Sequence, residues 1–413
     1  MLIIDTPPTK TSHKVVSEKV VSEVAHSERA LRRIAGWLML FCLLLGQIGA
    51  PWDGEWHAYI GRDWFWTPPH DLIYTCVAGG GLIALVMVIL ETLRYRKGYR
   101  GVDDQSTVRL GRVFHAPLGF YIAGFGALAA LFAAPFDNYW HQLYGIDISL
   151  WSPFHIMGVT GCFIGALGIV YIFASEAAID RRAAISKRRF LGFTALEWGA
   201  LFALSSLLKL TLIGFLLFPV ITLGLLRIPT YLIPAVICAG LCLMGAAFLT
   251  RRPGAATFVI VLVSIASFAT ELFVPWATRA LVAQEGLHYR VAGQVPYFAL
   301  NTALLPLFLL PSALFIDILI YWQKRRGKTM REGIRSLWLS GLITTLLEII
   351  IAPCIIMQTA NPLQAFLNMP DLSIAPNLKL YTTLIALPVI FFAGLLGTCW
   401  GANQGSIWHL NKQ

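Results

Sequence analysis

Apolar runs of about 20 residues recur along the whole chain, and this recurrence decides what it can fold into. Only helices and closed barrels satisfy their own backbone inside hydrocarbon. A barrel would show short strands of alternating polarity, and the sequence has none. The expected fold is all-α: a polytopic integral membrane protein of about ten transmembrane helices in five hairpins. The spans fall at 34–52, 70–93, 115–136, 155–178, 194–219, 228–249, 255–276, 297–322, 335–357 and 378–400. Composition agrees: 57% of residues are hydrophobic, 13% are charged and the mean hydropathy is +0.68. Soluble domains carry about 25% charged residues.

The net charge of +10 invites a nucleic-acid reading, but its placement argues against one. Of the 32 Lys and Arg residues, 26 fall in the N-terminal tail, in alternate loops or at Lys412; the other six are Arg62, Lys209, Arg227, Arg279, Arg290 and Lys379. This is the positive-inside pattern. It predicts cytoplasmic termini, a lipid bilayer as the partner, and no nucleic acid. Residues 1–33 are polar and lack the features of a cleaved signal peptide. The chain then divides into that cytoplasmic tail, a four-helix region over 34–180, and a six-helix region of unassigned role over 190–413. A bacterial inner membrane is the expected location. All seven cysteines sit within or at the ends of spans and suggest no disulfide framework.

A proline is expected to mark the outer end of the first helix in each hairpin: Pro51, Pro135, Pro219, Pro275 and Pro353. The first two hairpins share more. Each reads A-P-x-D-x-x-W-H, then Gly, then Asp, then Ser or Thr before P-x-H, which supports an internal repeat. Asp53 and His57 are four residues apart, so they share a face if the first helix continues past Pro51. Thr67-Pro68 reads as a cap and first helical residue, which places His70 at the mouth of the hairpin. Asp137, His141 and His155 repeat the set, with Ser152-Pro153 as the second start signal. Two imidazoles and a carboxylate suit copper, iron or zinc. Asp63 and Asp147 are expected to accept a hydrogen bond from a ligand imidazole, or to be ligands themselves. The bland alternative is a hydrogen-bonded cluster in an aromatic belt of Trp56, Trp64, Trp66, Trp140 and Trp151.

The run Asp53, Trp56, His57, Arg62, Asp63, Thr67, Pro68 and His70 resembles the metal-binding stretch of the C subunit of the particulate methane and ammonia monooxygenases. The resemblance covers residues 30–180. It implies Asp53, His57 and His70 as copper ligands, and a second copper site at Asp137, His141 and His155. At that second site Asp137 stands where the family has Asn. It further implies a copper-dependent membrane monooxygenase or a subunit of one, cupredoxin-like or other membrane partners, and an apolar small-molecule substrate. Methane or ammonia oxidation does not follow, because the chain lacks a cupredoxin domain and has six further spans. A metal transporter or copper-delivery protein, and a structural or assembly subunit, are the competing readings.

Outside the clusters, Lys209, Glu271 and Glu348 are charged residues within spans and candidate functional groups by default. His288, in an outer loop, is a further candidate ligand.

Overall fold

The computed structural model describes residues 29–61, 66–99, 102–144, 153–183, 187–215, 220–223, 226–229, 232–326 and 380–410. Within these the chain is helical. Helix α1 is Ala30–Tyr59 and α2 is Pro68–Arg96, with a π-helical turn at Thr75–Gly79. A ribbon of β1 (Thr107–Leu110) and β2 (Phe114–Pro117) leads into α3, Leu118–Tyr144. Then come α4 (Pro153–Arg182) and α5 (Ala195–Phe215). A second antiparallel ribbon, β3 (Val220–Leu223) with β4 (Leu226–Pro229), precedes α6, Leu232–Thr250. Helix α7 is Ala255–Glu285. Two short helical turns, Leu300–Leu304 and Leu305–Leu309, lead into α8, Leu310–Arg325, and α9 is Leu380–Leu410.

Eight segments among the described residues are long and apolar enough to cross a membrane, and they match the first eight expected spans. Helix α9 overlaps the tenth; the ninth, 335–357, lies outside the described residues. The helices run longer than hydropathy alone indicates. Pro51, Pro135 and Pro275 lie inside α1, α3 and α7 rather than at their ends, while Pro219 and Pro353 lie outside the described residues. Proline removes one N–H from the ladder, and a helix survives that loss where another donor replaces it. The two ribbons were not expected; strands of four residues leave little period-two signal.

Close packing between α3 and α4 follows from small residues, as membrane helices require. A Cβ added to Gly126 would stand 2.4 Å from Gly165 N, and one added to Gly168 would stand 2.4 Å from Ala123 N. Helix α9 packs on α6 in the same way: a Cβ at Gly397 would meet Ile237 O at 2.3 Å. The core is continuous across both halves of the chain, running from Ala35 of α1 through Leu201 and Val259 to Trp408.

One end of the bundle is sealed by ion pairs. Arg32, 1% exposed, donates to Glu91 at 2.6 and 2.9 Å and to Asp104 at 2.6 Å. Arg33 donates to Glu176 at 2.9 Å and to Asp180 at 2.7 Å. At the same end Arg181 pairs with Glu197 at 3.2 Å, and His409 Nδ1 donates to Leu249 O at 2.7 Å. Asp317 of α8 accepts hydrogen bonds from the N–H groups of Ala256 and Thr257, holding a carboxylate on the N-terminus of α7. The basic loop segments therefore gather at one end, and the Asp/His clusters lie at the other.

Gly126→Val should force α3 from α4, because the obstacle is backbone and cannot rotate away. Overpacking of this kind costs about 1–3 kcal/mol, so the thermal unfolding midpoint in detergent should fall by several degrees. An unchanged midpoint would show that the two helices do not depend on this approach.

Candidate metal centre

The site begins with how α1 survives its proline. Pro51 has no N–H to offer Gln47 C=O four residues earlier, and no water is at hand to replace it. Lys209 Nζ, from α5, donates to that carbonyl at 3.1 Å. The same ammonium donates to Ala266 O at 3.3 Å and to Thr270 Oγ1 at 2.5 Å, both on α7. Gln47 Nε2 donates to Ser206 O at 3.1 Å, adding a second tie to α5. The helix therefore continues for two more turns, to Tyr59. Its end is covered from the loop after α7: Arg290 N donates to Tyr59 O at 2.8 Å and its guanidinium to His57 O at 3.1 Å. Gly61, at φ 99°, turns the chain away beneath Arg290, in a region that favours glycine.

This continuation puts Asp53 and His57 on one face. Thr67 is extended and Pro68 opens α2, as the sequence predicts, although the Thr67 side chain makes no capping bond. His70 then turns toward α1. His70 Nε2 is 3.1 Å and His57 Nε2 is 3.7 Å from Asp53 Oδ1. All three donor atoms lie within 4.8 Å of one another. The side chains are 19% (Asp53), 40% (His57) and 21% (His70) exposed, so the group is reachable from outside without being flooded.

The donors fit a metal ion. Ligands about 2.0–2.1 Å from one ion, at tetrahedral or cis octahedral angles, stand roughly 2.8–3.4 Å apart; His70 meets that spacing from Asp53 at 3.1 Å, and His57 at 3.7 Å would close in by a few tenths of an ångström. Asp53 Oδ1 is buried, and His70 Nε2, 3.1 Å away, is placed to donate to it. A carboxylate oxygen facing two imidazole nitrogens is a donor set that a cation can use when the imidazoles are neutral. His70 stacks on Tyr74 at 5.6 Å, which limits its ring rotation.

The second cluster is partly assembled. Helix α3 runs through Pro135 to Tyr144, and Pro153 opens α4. His155 Nδ1 lies 3.3 Å from Asp137 Oδ1. The His141 side chain lies outside the described residues, as do Arg62, Asp63, Asp147 and Glu348. His155 is also within electrostatic range of Asp53, so the two clusters are neighbours at one end of the bundle. His288 is exposed and does not join the Asp53 group.

Lys209 and Glu271 are both placed near the site. Lys209 is buried among carbonyls, and Glu271 is half-buried on α7, one residue beyond Thr270. Sequence reasoning passed over Glu55. It sits between Asp53 and His57 but on the opposite face of α1, where it is buried and accepts a hydrogen bond from Thr278 Oγ1 at 2.8 Å. Glu271 and Glu55 are electrostatic neighbours. The signal available was a charge inside a helix that continues past its proline. The aromatic belt also needs correction. Trp56 is 3% exposed and belongs to the interior, whereas Trp66 is exposed; Trp64 and Trp151 lie outside the described residues.

Comparison with known proteins gave no match to a family model, to a curated protein or to a solved structure.

Lys209→Met would leave the Gln47 carbonyl buried without a donor, a loss of about 1–3 kcal/mol. The expected outcome is a lower unfolding midpoint together with weaker metal retention, read by calorimetry and by metal analysis of the purified protein. If neither changes, Lys209 does not hold the outer turns of α1 in register.

Proposed function

We propose that the protein is a membrane copper protein whose Asp53, His57 and His70 form one metal site, with Asp137, His141 and His155 forming a second beside it. It works as an oxidoreductase or as a subunit of one, related to the C subunit of the membrane monooxygenases. The observation that carries the reading is the convergence of three donor atoms from two helices within 4.8 Å. Iron and zinc share this donor preference, and the sequence resemblance favours copper over both. In this reading both termini are cytoplasmic and the sites face the outside. The reductant is then an external redox protein, cupredoxin-like or carried by another membrane subunit.

A copper ion bound there would supply one-electron and dioxygen chemistry. The chain's own contribution is geometry and surroundings. Asp53 provides the anionic donor, and His57 and His70 provide neutral nitrogens. Trp52 and Trp56 are buried on the same helix, and Trp52 packs against Val274 and Ala277 of α7, which anchors the ligand turns of α1 to the interior. Lys209 and Arg290 hold the α1 turns that carry two of the ligands. An apolar substrate would approach from the lipid side.

The test is metal analysis of the full chain in nanodiscs. The wild type should retain one to two equivalents of copper after exchange into metal-free buffer. His57→Ala/His70→Ala should remove one equivalent and His141→Ala/His155→Ala the other, each with an affinity loss beyond the ~10–100-fold typical of outer partners. Paramagnetic resonance of the oxidised wild type should show nitrogen ligation. Retention should also weaken on acidification, because each imidazole must shed its proton to bind. The reading fails if no stoichiometric metal is retained after loading, or if the histidine variants keep the wild-type complement.

A further inference from the structure

Below the Asp53 group the helices enclose a second feature that the sequence did not disclose. Helices α1 to α4 leave a cavity of about 40 Å³ between them, lined on one side by Met39 and on others by Cys76 and Cys162. Cys76 lies six residues beyond His70 and Cys162 seven residues beyond His155. At 1.5 Å per residue, both thiols sit roughly 9–10 Å deeper than the histidine of their own helix. Gly80, Ala130 and Gly161 complete the wall, which bears no charged residue.

The thiols are placed by close helix contacts. Cys76 falls in the π turn of α2 and packs on α1, where a Cβ added to Gly46 would come within 2.7 Å of its sulfur. Cys42 of α1 packs back on Gly79, whose added Cβ would be 3.0 Å from the Cys42 sulfur. Cys42 and Cys162 are both electrostatic neighbours of Cys76. All three cysteines are free. π turns occur frequently at functional sites, and this one separates the His70 turn from the rest of α2.

We propose that this cavity is a binding site for a soft monovalent metal ion, Cu(I) or its analogue Ag(I), held by Cys76, Cys162 and the thioether of Met39. Thiolate and thioether donors select such ions. Charge gives the same choice. An ion at this depth is tolerated only if its charge is cancelled locally. Binding releases one thiol proton, so one thiolate and one monovalent ion form a neutral unit. The second thiol and the thioether then coordinate as neutral donors. A divalent ion would need both thiols ionised, in a wall that bears no charged residue to stabilise the second thiolate. The proposal stands independently of the outer site, which uses none of these residues.

The full chain in nanodiscs, kept reduced, would be titrated with Ag(I) and the retained silver counted by mass spectrometry. Cys76→Ala/Cys162→Ala should retain one equivalent less than the wild type. His57→Ala/His70→Ala should keep that equivalent. Met39→Leu, which preserves volume, should weaken it about tenfold with an unchanged unfolding midpoint, and it serves alone if the double alanine variant does not fold. X-ray absorption of the Cu(I)-loaded wild type should show sulfur neighbours. The proposal is overturned by equal silver retention in the wild type, the cysteine variant and Met39→Leu. Loss of the equivalent only in the histidine variant would also overturn it. In either case the thiols are helix packing.

Discussion

Pro51 takes one N–H out of α1 at a depth where water cannot supply another, and the Gln47 carbonyl is the group left over. The ammonium of Lys209 answers it. Because Lys209 also reaches Ala266 and Thr270, a single cation fastens α1 to α5 and α7 at the point where α1 would otherwise break. The two turns beyond carry Asp53, Glu55 and His57. Three carbonyl or hydroxyl oxygens solvate the ammonium in place of water. The proline and the lysine are therefore one device, and neither is intelligible alone.

The two ends of the bundle are built differently. At the basic end, arginines and carboxylates are directly paired and buried, with Arg32 serving Glu91 and Asp104 together. Removing one partner of such a pair is expensive because it strands the other charge, which favours a fixed arrangement. At the opposite end the carboxylate of Asp53 faces two imidazoles that need not be charged. One end is held by charge paired with charge, the other by a carboxylate among imidazoles. Helix α2 adds to this asymmetry, being the span with the smallest buried share while supplying His70.

Much of this was legible in the sequence. Hydropathy locates eight spans, because burial in lipid demands uninterrupted apolar length. The four-residue spacing of Asp53 and His57 and the Thr67-Pro68 start signal point to the triad, and the structure brings its three members together. Helix ends were misread where prolines occur, because the compensating donor for Gln47 lies 162 residues away in sequence. Lys209 was flagged as an anomaly but not as a helix clamp, since its partners are main-chain oxygens that no side-chain pattern reveals. Glu55 escaped notice between two candidate ligands, on the face that Thr278 meets. The gathering of Met39, Cys76 and Cys162 depends on three helices and a π turn, so it has no local signature.

The placement of Lys209 and Arg290 bears on the order in which the protein is made. The ligands proposed for the two Asp/His/His sites all lie within the first 155 residues, on hairpins that leave the ribosome early. The clamp arrives only with α5, and the cover over His57 and Tyr59 only with the loop after α7. The ligand turns of α1 therefore wait, incompletely held, while two later hairpins insert. A chain stalled before Arg290 would therefore present these histidines without the framework that gives them their geometry.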